Sequence, residues 1–497
     1  MKNIYFEEPI TEEYVRLYTH LANLFFEESK VRQPMTGDYQ VSIEVEEREG
    51  YYVGKATLQT TENKYETTYE EKIEQQWLSE KHQVKRVKSR LFLQLLEEET
   101  GMTQSWGVLT GIRPMKLYHQ HMQKLGDREQ VHELLRKQYR ISEDKIELLA
   151  EIERVQLRAL PDLYDLKKEV SVYIGIPFCP TKCAYCTFPA YAIHRKNNRV
   201  DNFLDALHLE VEAIGKWLTE HDMRITSIYF GGGTPTSIEA HEMDALYEKV
   251  SNSFPNMDKV REITVEAGRP DTITEEKLAV LNKWKIDRIS VNPQSFTNAT
   301  LKAIGRHHSV EETIEKFHLA REHGMTNINM DLIIGLPNED ETHYAHSLAE
   351  TEKLMPESVT MHTLSFKRAS HMSQNKEKYK VADRQTTERM MQMGVNWAKE
   401  HEYIPYYMYR QKNILGNLEN VGYSKFGEES LYNIVIMEEA QTIIGLGSGA
   451  TSKFMKHGSR KLQQYMNPKD PASYALTIDQ SIADKIDWLN KIVKQSS

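Results

Sequence analysis

Between residues 170 and 364 the chain repeats one pattern: a short apolar run, a loop, then an amphipathic stretch of helical period. The apolar runs fall at 170–176, 225–230, 263–265, 287–291, 328–334 and 358–364. Helical stretches near 199–219, 238–253, 274–285, 309–324 and 340–355 separate them. Runs that are apolar along their whole length suit strands covered on both faces. Their alternation with helices suits parallel strands joined by right-handed crossovers. Six such units predict an α/β fold, a partial (β/α)6 barrel with its helices outside, over residues 166–380.

The flanks differ from this middle. Residues 1–165 read as an α+β N-terminal domain. Val41, Ile43 and Val45 alternate, and Gly50 marks a turn before Tyr51, Tyr52 and Val53, which is a hairpin signal. From about 67 to 99 the pattern reads as helical, with Val84, Val87, Leu91 and Leu95 on one face. Lys85, Arg86, Lys88 and Arg90 lie off that face, and a solvated surface is the expected reading over a site for acidic groups. Gly101 is placed as a C-cap. The Gly/Pro-punctuated stretch from Trp106 to Pro114 is either a lid over the barrel mouth or a buried turn. More helix follows to about 158, and Pro161 marks a linker. Past 380, a helix near 383–401, an aromatic stretch from Tyr403 to Tyr432 and the run Gly445-Leu-Gly-Ser-Gly449 predict a small C-terminal domain, 381–497, ending in exposed helix.

The 497 residues carry a formal net charge of -10. A nucleic-acid binder would show a basic balance, so none is expected as a partner. The opening residues carry acids and no apolar core segment, unlike a secretory signal, and no apolar run reaches 18 residues. A cytoplasmic protein without a membrane span is the expectation.

Only three cysteines occur, Cys179, Cys183 and Cys186, all within eight residues directly after the first predicted strand. An odd, clustered set is a poor disulfide framework. Three thiolates on one loop can ligate three irons of a cubane cluster, which usually has four cysteine ligands. The chain has no fourth, so one iron is left for a ligand from outside the protein. A zinc site would need another ligand type, with His194 the nearest candidate, and this spacing is unusual for zinc.

Later strand ends carry polar residues. Gly231, Gly232 and Gly233 precede Thr234 after the second run, and glycines let backbone approach a ligand closely. Glu266, Gln294 and Asp331 follow or fall within the third, fourth and fifth runs. In barrels of this kind the C-terminal strand ends line the active site.

The Cx3Cx2C loop resembles the signature of the radical S-adenosylmethionine (SAM) superfamily. With Tyr173 to Cys179, Gly231 to Thr236, Gly305 to His308 and Asp331 to Pro337, the chain resembles the oxygen-independent coproporphyrinogen III oxidase family over about 170–370. The resemblance implies a [4Fe-4S] cluster on the three cysteines, SAM on the open iron, and a second SAM beside it. It implies that Tyr173 and Gly232 contact the first SAM and that Glu266 holds its polar groups. Tyr185, Gly233, Thr234, Gln294, Arg306 and Asp331 would line the second. It also implies a tetrapyrrole substrate, oxidative decarboxylation of its propionates through a 5′-deoxyadenosyl radical, and an electron donor such as flavodoxin or ferredoxin. His307 and His308 are read as structural.

Two positions depart from that family's best-known members: Phe188 stands where they carry a further cysteine, and Gly175 where they carry histidine. Both features resemble the haem-chaperone branch, so a haem-binding or trafficking protein is the alternative. On that reading Tyr406, Tyr407, Met408 and Tyr409 would cover a flat tetrapyrrole, whereas the plain reading of this stretch is a packed core edge. A related SAM enzyme for methyl transfer or haem-ring opening is a third class.

Overall fold

A computed structural model describes residues 2–26, 29–32, 38–73, 79–109, 113–166, 168–188, 190–193, 199–366, 370–411, 414–455 and 462–496. His194 and residues 110–112 of the Trp106-to-Pro114 stretch lie outside the described residues. The chain divides into two compact units, Met1–Glu151 and Ile152–Ser497. The sequence reading draws three domains with boundaries near 165 and 380. The observed division instead falls inside the helix Glu143–Ala159, because Val155, Leu160, Leu163 and Leu166 pack with Tyr406, Tyr407 and Ile434 of the second unit.

The first unit is built on a five-stranded sheet in the order Ser29–Arg32, Lys2–Phe6, Tyr39–Arg48, Tyr51–Gln59, Lys64–Lys72. Helices Glu12–Ala22 and Glu80–Thr100 cover the face bearing Ile4, Val41, Ala56 and Leu58. The hairpin turns at Gly50 as expected, with Arg48 opposite Tyr51. Residues 67–72 are strand, not helix. Thr67 and Glu71 alternate inward between exposed neighbours, a period of two that the β-branched and aromatic side chains of this segment favour. The helix starts only at Glu80 and stops at Gly101, whose φ of 68° and N–H bond to Glu97 O make the expected C-cap. Val87, Leu91 and Leu95 are fully buried. Arg86 departs from the solvated face predicted for it: its guanidinium is buried and paired with Glu71 at 2.6 Å, a partner that only the misread strand supplies.

The second unit is an eleven-stranded sheet. Strands β1 (Glu169–Ile176), β2 (Arg224–Gly232), β3 (Glu262–Glu266), β4 (Arg288–Ser290), β5 (Ile328–Ile334) and β6 (Ser358–Thr363) pair in parallel and in chain order, as the six units predict. Their interiors, Val172, Ile228, Val265, Ile289, Leu332 and Met361, are solvent-free. The intervening helices begin where short polar side chains cap them. Thr274 accepts from Lys277 N–H, Ser309 from Glu312 N–H, and Asp340 from Thr342 N–H.

The C-terminal residues extend this sheet at both edges. β7 (Ile404–Tyr409) and β8 (Asn420–Ser424) add antiparallel strands beside β6. β9 (Thr442–Gly447) lies parallel to β1, and β10 (Thr451–Phe454) and β11 (Gln463–Met466) follow it. The glycine-rich run is thus a seventh parallel strand. A Cβ on Gly447, at φ +90°, would lie 2.2 Å from the Gly175 carbonyl oxygen, so the two strands can approach this closely only with glycine at 447. The tail past 455 is helical over Pro471–Leu476 and Ile478–Ser496, but Tyr474, Lys485 and Leu489 are buried rather than exposed. Among the described residues no helix is long and apolar enough to cross a membrane.

Candidate active site at the cysteine loop

Three contacts hold the cysteine loop from outside. Ala184 donates its N–H to Ile304 O at 2.9 Å, and the Thr181 hydroxyl donates to Gly305 O at 3.1 Å. Arg269 donates to Thr181 O at 3.1 Å and to Thr181 Oγ1 at 3.0 Å. Arg269 is itself buried and held by two bonds to Asp271, at 3.0 and 2.9 Å. None of these anchors is a thiol, and none of the three half-buried cysteines is in a disulfide. Burial pushes the Cys179 thiol up to about 11, against the Thr234 hydroxyl 3.4 Å away, which lowers it. Iron would replace that proton, since metal binding requires thiolate.

The triple glycine brings the end of β2 against this loop. Gly233 donates its N–H to Ile176 O at 2.8 Å, and Thr234 donates to Phe178 O at 2.7 Å. A Cβ on Gly233 would sit 2.5 Å from that same Phe178 oxygen. Gly232 has φ +112°, which a side chain would strain.

The loop and the strand ends enclose one cavity of about 390 Å³. Cys179, Cys183 and Cys186 line it, with Tyr185, Gly232, Gly233, Thr234, Glu266, Gln294, Arg306 and Asp331. Tyr173 does not. Its ring lies outside the lining, stacked 6.2 Å from Tyr229 and 6.3 Å from Tyr432. Tyr432 is set there by buried Glu262, whose carboxylate accepts the Leu431 and Tyr432 N–H groups at 2.8 and 3.0 Å.

The two carboxylates of the cavity are in different states. Burial, reinforced by the charge of Asp331, pushes Glu266 up to about 7, although the Tyr229 hydroxyl bonded to it acts the other way. Burial also acts to raise Asp331, but hydrogen bonds outweigh it and hold Asp331 below the usual range. His362 Nε2 lies 3.6 Å from Asp331 Oδ2, and Asn329 and Asn292 donate to its two oxygens at 2.8 Å each. Gln294 has φ +67°, a conformation few side chains adopt, and this kink turns its side chain into the cavity.

The lining suits a polar cofactor. Ser290 Oγ, Asn292 Oδ1 and Gln294 Oε1, on alternate residues at the end of β4, are buried with no hydrogen-bond partner. Such acceptors normally have one. Hydroxyl and ammonium donors of a SAM-sized ligand would satisfy them. Three thiols lining one wall fit a cluster.

Several cavity residues were not singled out from the sequence, among them Tyr229, Arg269, Asn292 and His362. Tyr229 and His362 lie in the C-terminal halves of β2 and β6, so the strand-end rule could have found them. Tyr407 and Tyr409 reach the cavity only because β7 folds back beside β8. Tyr409 bonds His362 Nδ1 at 3.2 Å, and Tyr407 bonds Thr360 at 3.2 Å, while Tyr406 and Met408 are core. His307 is exposed. His308 is buried beside Asp271 outside the cavity lining, held neutral at about 3 by burial and by Arg306.

A family model described as the Radical SAM superfamily matches residues 173–350. The chain is 57% identical over 485 residues to the oxygen-independent coproporphyrinogen-III oxidase-like protein HemZ of Bacillus subtilis (strain 168), covering 96% of each. That match includes the N-terminal unit. The heme chaperone HemW of the same organism is 29% identical over 282 residues, 56% of this chain and 70% of the relative. The solved coproporphyrinogen III oxidase (HemN) from Escherichia coli, a radical SAM enzyme, superposes with a TM-score of 0.52 at 20% identity. It covers 66% of this chain and 72% of that one, and shows the shared fold. The superfamily uses a [4Fe-4S] cluster and SAM. A barrel with three loop thiols at its mouth, matched end to end by such a relative, makes this chain a member of the oxygen-independent coproporphyrinogen-III oxidase-like family of radical SAM proteins.

Proposed function

We propose that this chain catalyses oxygen-independent oxidative decarboxylation of coproporphyrinogen III to protoporphyrinogen IX, as a cytoplasmic oxidoreductase of porphyrin biosynthesis. The observation that carries the reading is the single cavity shared by the three thiols and the polar ends of β2 to β6. The cluster with SAM supplies a carbon radical able to take one hydrogen atom from a propionate side chain. Loss of carbon dioxide and one electron then leaves a vinyl group, the electron passing to an acceptor.

The chain's own residues bind and orient. On this reading Cys179, Cys183 and Cys186 hold the cluster, and Tyr185, Gly232, Gly233, Thr234, Glu266, Gln294, Arg306 and Asp331 contact SAM, with Tyr173 one layer behind. Arg306 places positive charge on the cavity lining, which favours an anionic propionate there, while the charge of Arg269 is met by Asp271. Tyr407 and Tyr409 offer flat walls opposite. A flavodoxin or ferredoxin would reduce the cluster. The test is an anaerobic assay of reconstituted protein with SAM, reductant and coproporphyrinogen III. Mass spectrometry should show 5′-deoxyadenosine and successive loss of two propionate carboxyls. SAM cleavage without any change in the porphyrinogen rejects this substrate.

A haem-carrier reading has its own support. Phe188 is 59% exposed on the cavity lining, and Tyr409 beside His362 offers residue types that bind haem iron. Stable binding of haem with no turnover of coproporphyrinogen favours that reading, and absence of haem binding removes it.

A further inference from the structure

The cysteine loop is backed on its outer side by two segments that the chemistry above does not use. Ala184 accepts the Met372 N–H at 3.0 Å and donates to Ile304 O at 2.9 Å. Ala184, Leu301, Ile304 and Met372 share one small apolar core, against which Tyr379 and Val381 pack. Residues 370–381 and the helix Asn298–Ala303 are therefore the protein surface immediately beside the loop.

That surface inverts the charge of the molecule. Lys182, Lys302, Lys378 and Lys380 are all exposed on it. None of the four ammonium groups makes an ion pair among the described residues, and Glu377 is the one acid within 370–381. The chain as a whole carries -10. Elsewhere, exposed lysines such as Lys81, Lys137, Lys283 and Lys353 are paired with carboxylates, and those without an ion pair among the described residues, such as Lys30, Lys55 and Lys285, lie on other segments of the chain. Four unpaired cations on an acidic protein, beside the loop that must receive an electron, form a patch with a favourable potential for an anionic surface.

We propose that this lysine patch docks an acidic electron-carrier protein, which passes one electron to the cluster held by Cys179, Cys183 and Cys186. The carrier is oxidised by one electron and the cluster reduced by one, with no bond made or broken. Encounters of this kind bury little area and draw their rate and specificity from opposed charge. They weaken as salt screens that charge. The inference rests on the cluster and not on the choice of tetrapyrrole.

The test uses the reconstituted full chain and an acidic flavodoxin. Binding of oxidised flavodoxin is read first, by titration at low and high ionic strength, with no turnover involved. The wild type should bind more weakly as salt rises. The triple variant K302E/K378E/K380E should bind about tenfold more weakly or worse at low salt. Reduction of the cluster by photoreduced flavodoxin should slow in the variant, while reduction by dithionite stays at the wild-type rate. Equal affinity of variant and wild type, or wild-type affinity indifferent to salt, overturns the proposal. If the reversal variant fails to hold its cluster, K302Q/K378Q/K380Q is read in the same titration. A loss of about threefold supports the patch, and unchanged affinity rejects it. No porphyrinogen is present, so failure here leaves the decarboxylation reading standing, and the reverse also holds.

Discussion

Tyr229 donates its hydroxyl to Glu266 Oε1 at 2.6 Å, tying the ends of β2 and β3 together in the wall of the cavity that the cysteines line. The bond accounts for how a buried carboxylate is tolerated at this position. Against that bond, burial and the charge of Asp331 still push Glu266 up to about 7 from 4.5.

Stability should follow from that shift with a definite sign. Between pH 4.5 and about 7 the folded chain keeps a proton on Glu266 that the unfolded chain has released. Stability due to this group is therefore greatest below pH 4.5 and declines as pH rises through about 7. Glu266→Gln should flatten the decline. Urea unfolding of cluster-free protein at pH 5 and pH 8 checks it, and an identical pH dependence in variant and wild type rejects the assignment.

Cys186→Ser should remove the cluster without unfolding the loop, because the loop is anchored through Thr181 and Ala184 and not through its thiols. Iron content and visible absorbance should be lost. Cluster-free variant and cluster-free wild type should agree within about 0.5 kcal/mol in unfolding free energy, since the serine hydroxyl takes the place of the thiol at nearly the same size.

Gly233→Ala puts a Cβ 2.5 Å from Phe178 O, against backbone that cannot swing aside. Overpacking of this kind costs about 1–3 kcal/mol. Phe178 leads directly into Cys179, so the displacement should also lower iron loading on reconstitution. Normal iron content in a destabilised variant would separate the two effects and show that the loop is not coupled to this glycine.

Lys485 and Glu210 form a solvent-free ion pair, and Glu210 also accepts from Tyr474 at 2.7 Å and from Gly447 N–H at 2.8 Å. The pair links the C-terminal helix to β9. Lys485→Met leaves Glu210 buried without its counter-charge, which should cost about 3–5 kcal/mol. The double variant K485M/E210Q should recover part of that loss. A single-variant loss below about 1 kcal/mol would mean that the neutral donors alone satisfy Glu210.

Much of the barrel could be read because its signals are local. The six apolar runs and their helices agree with β1 to β6 and the helices between them to within a few residues. The errors lie where a residue's meaning depends on a distant partner. Arg86 looks like a surface cation until the strand Lys64–Lys72 places Glu71 beside it. Gly445 and Gly447 read only as part of a separate C-terminal domain until the register sets them opposite Tyr173 and Gly175 in the barrel sheet.

The chain's sequence alone determined the candidate ligand set and the fold that carries it, because the cysteine spacing and the strand–helix period are encoded in consecutive residues. Tertiary structure alone decided which side chains meet the cysteines. Tyr407 and Tyr409 share a cavity with Cys179 only after β7 and β8 fold back on β6, and Arg269 grips Thr181 across 88 residues of chain. Contacts of that kind are fixed by sheet register and crossover, which no stretch of sequence encodes by itself.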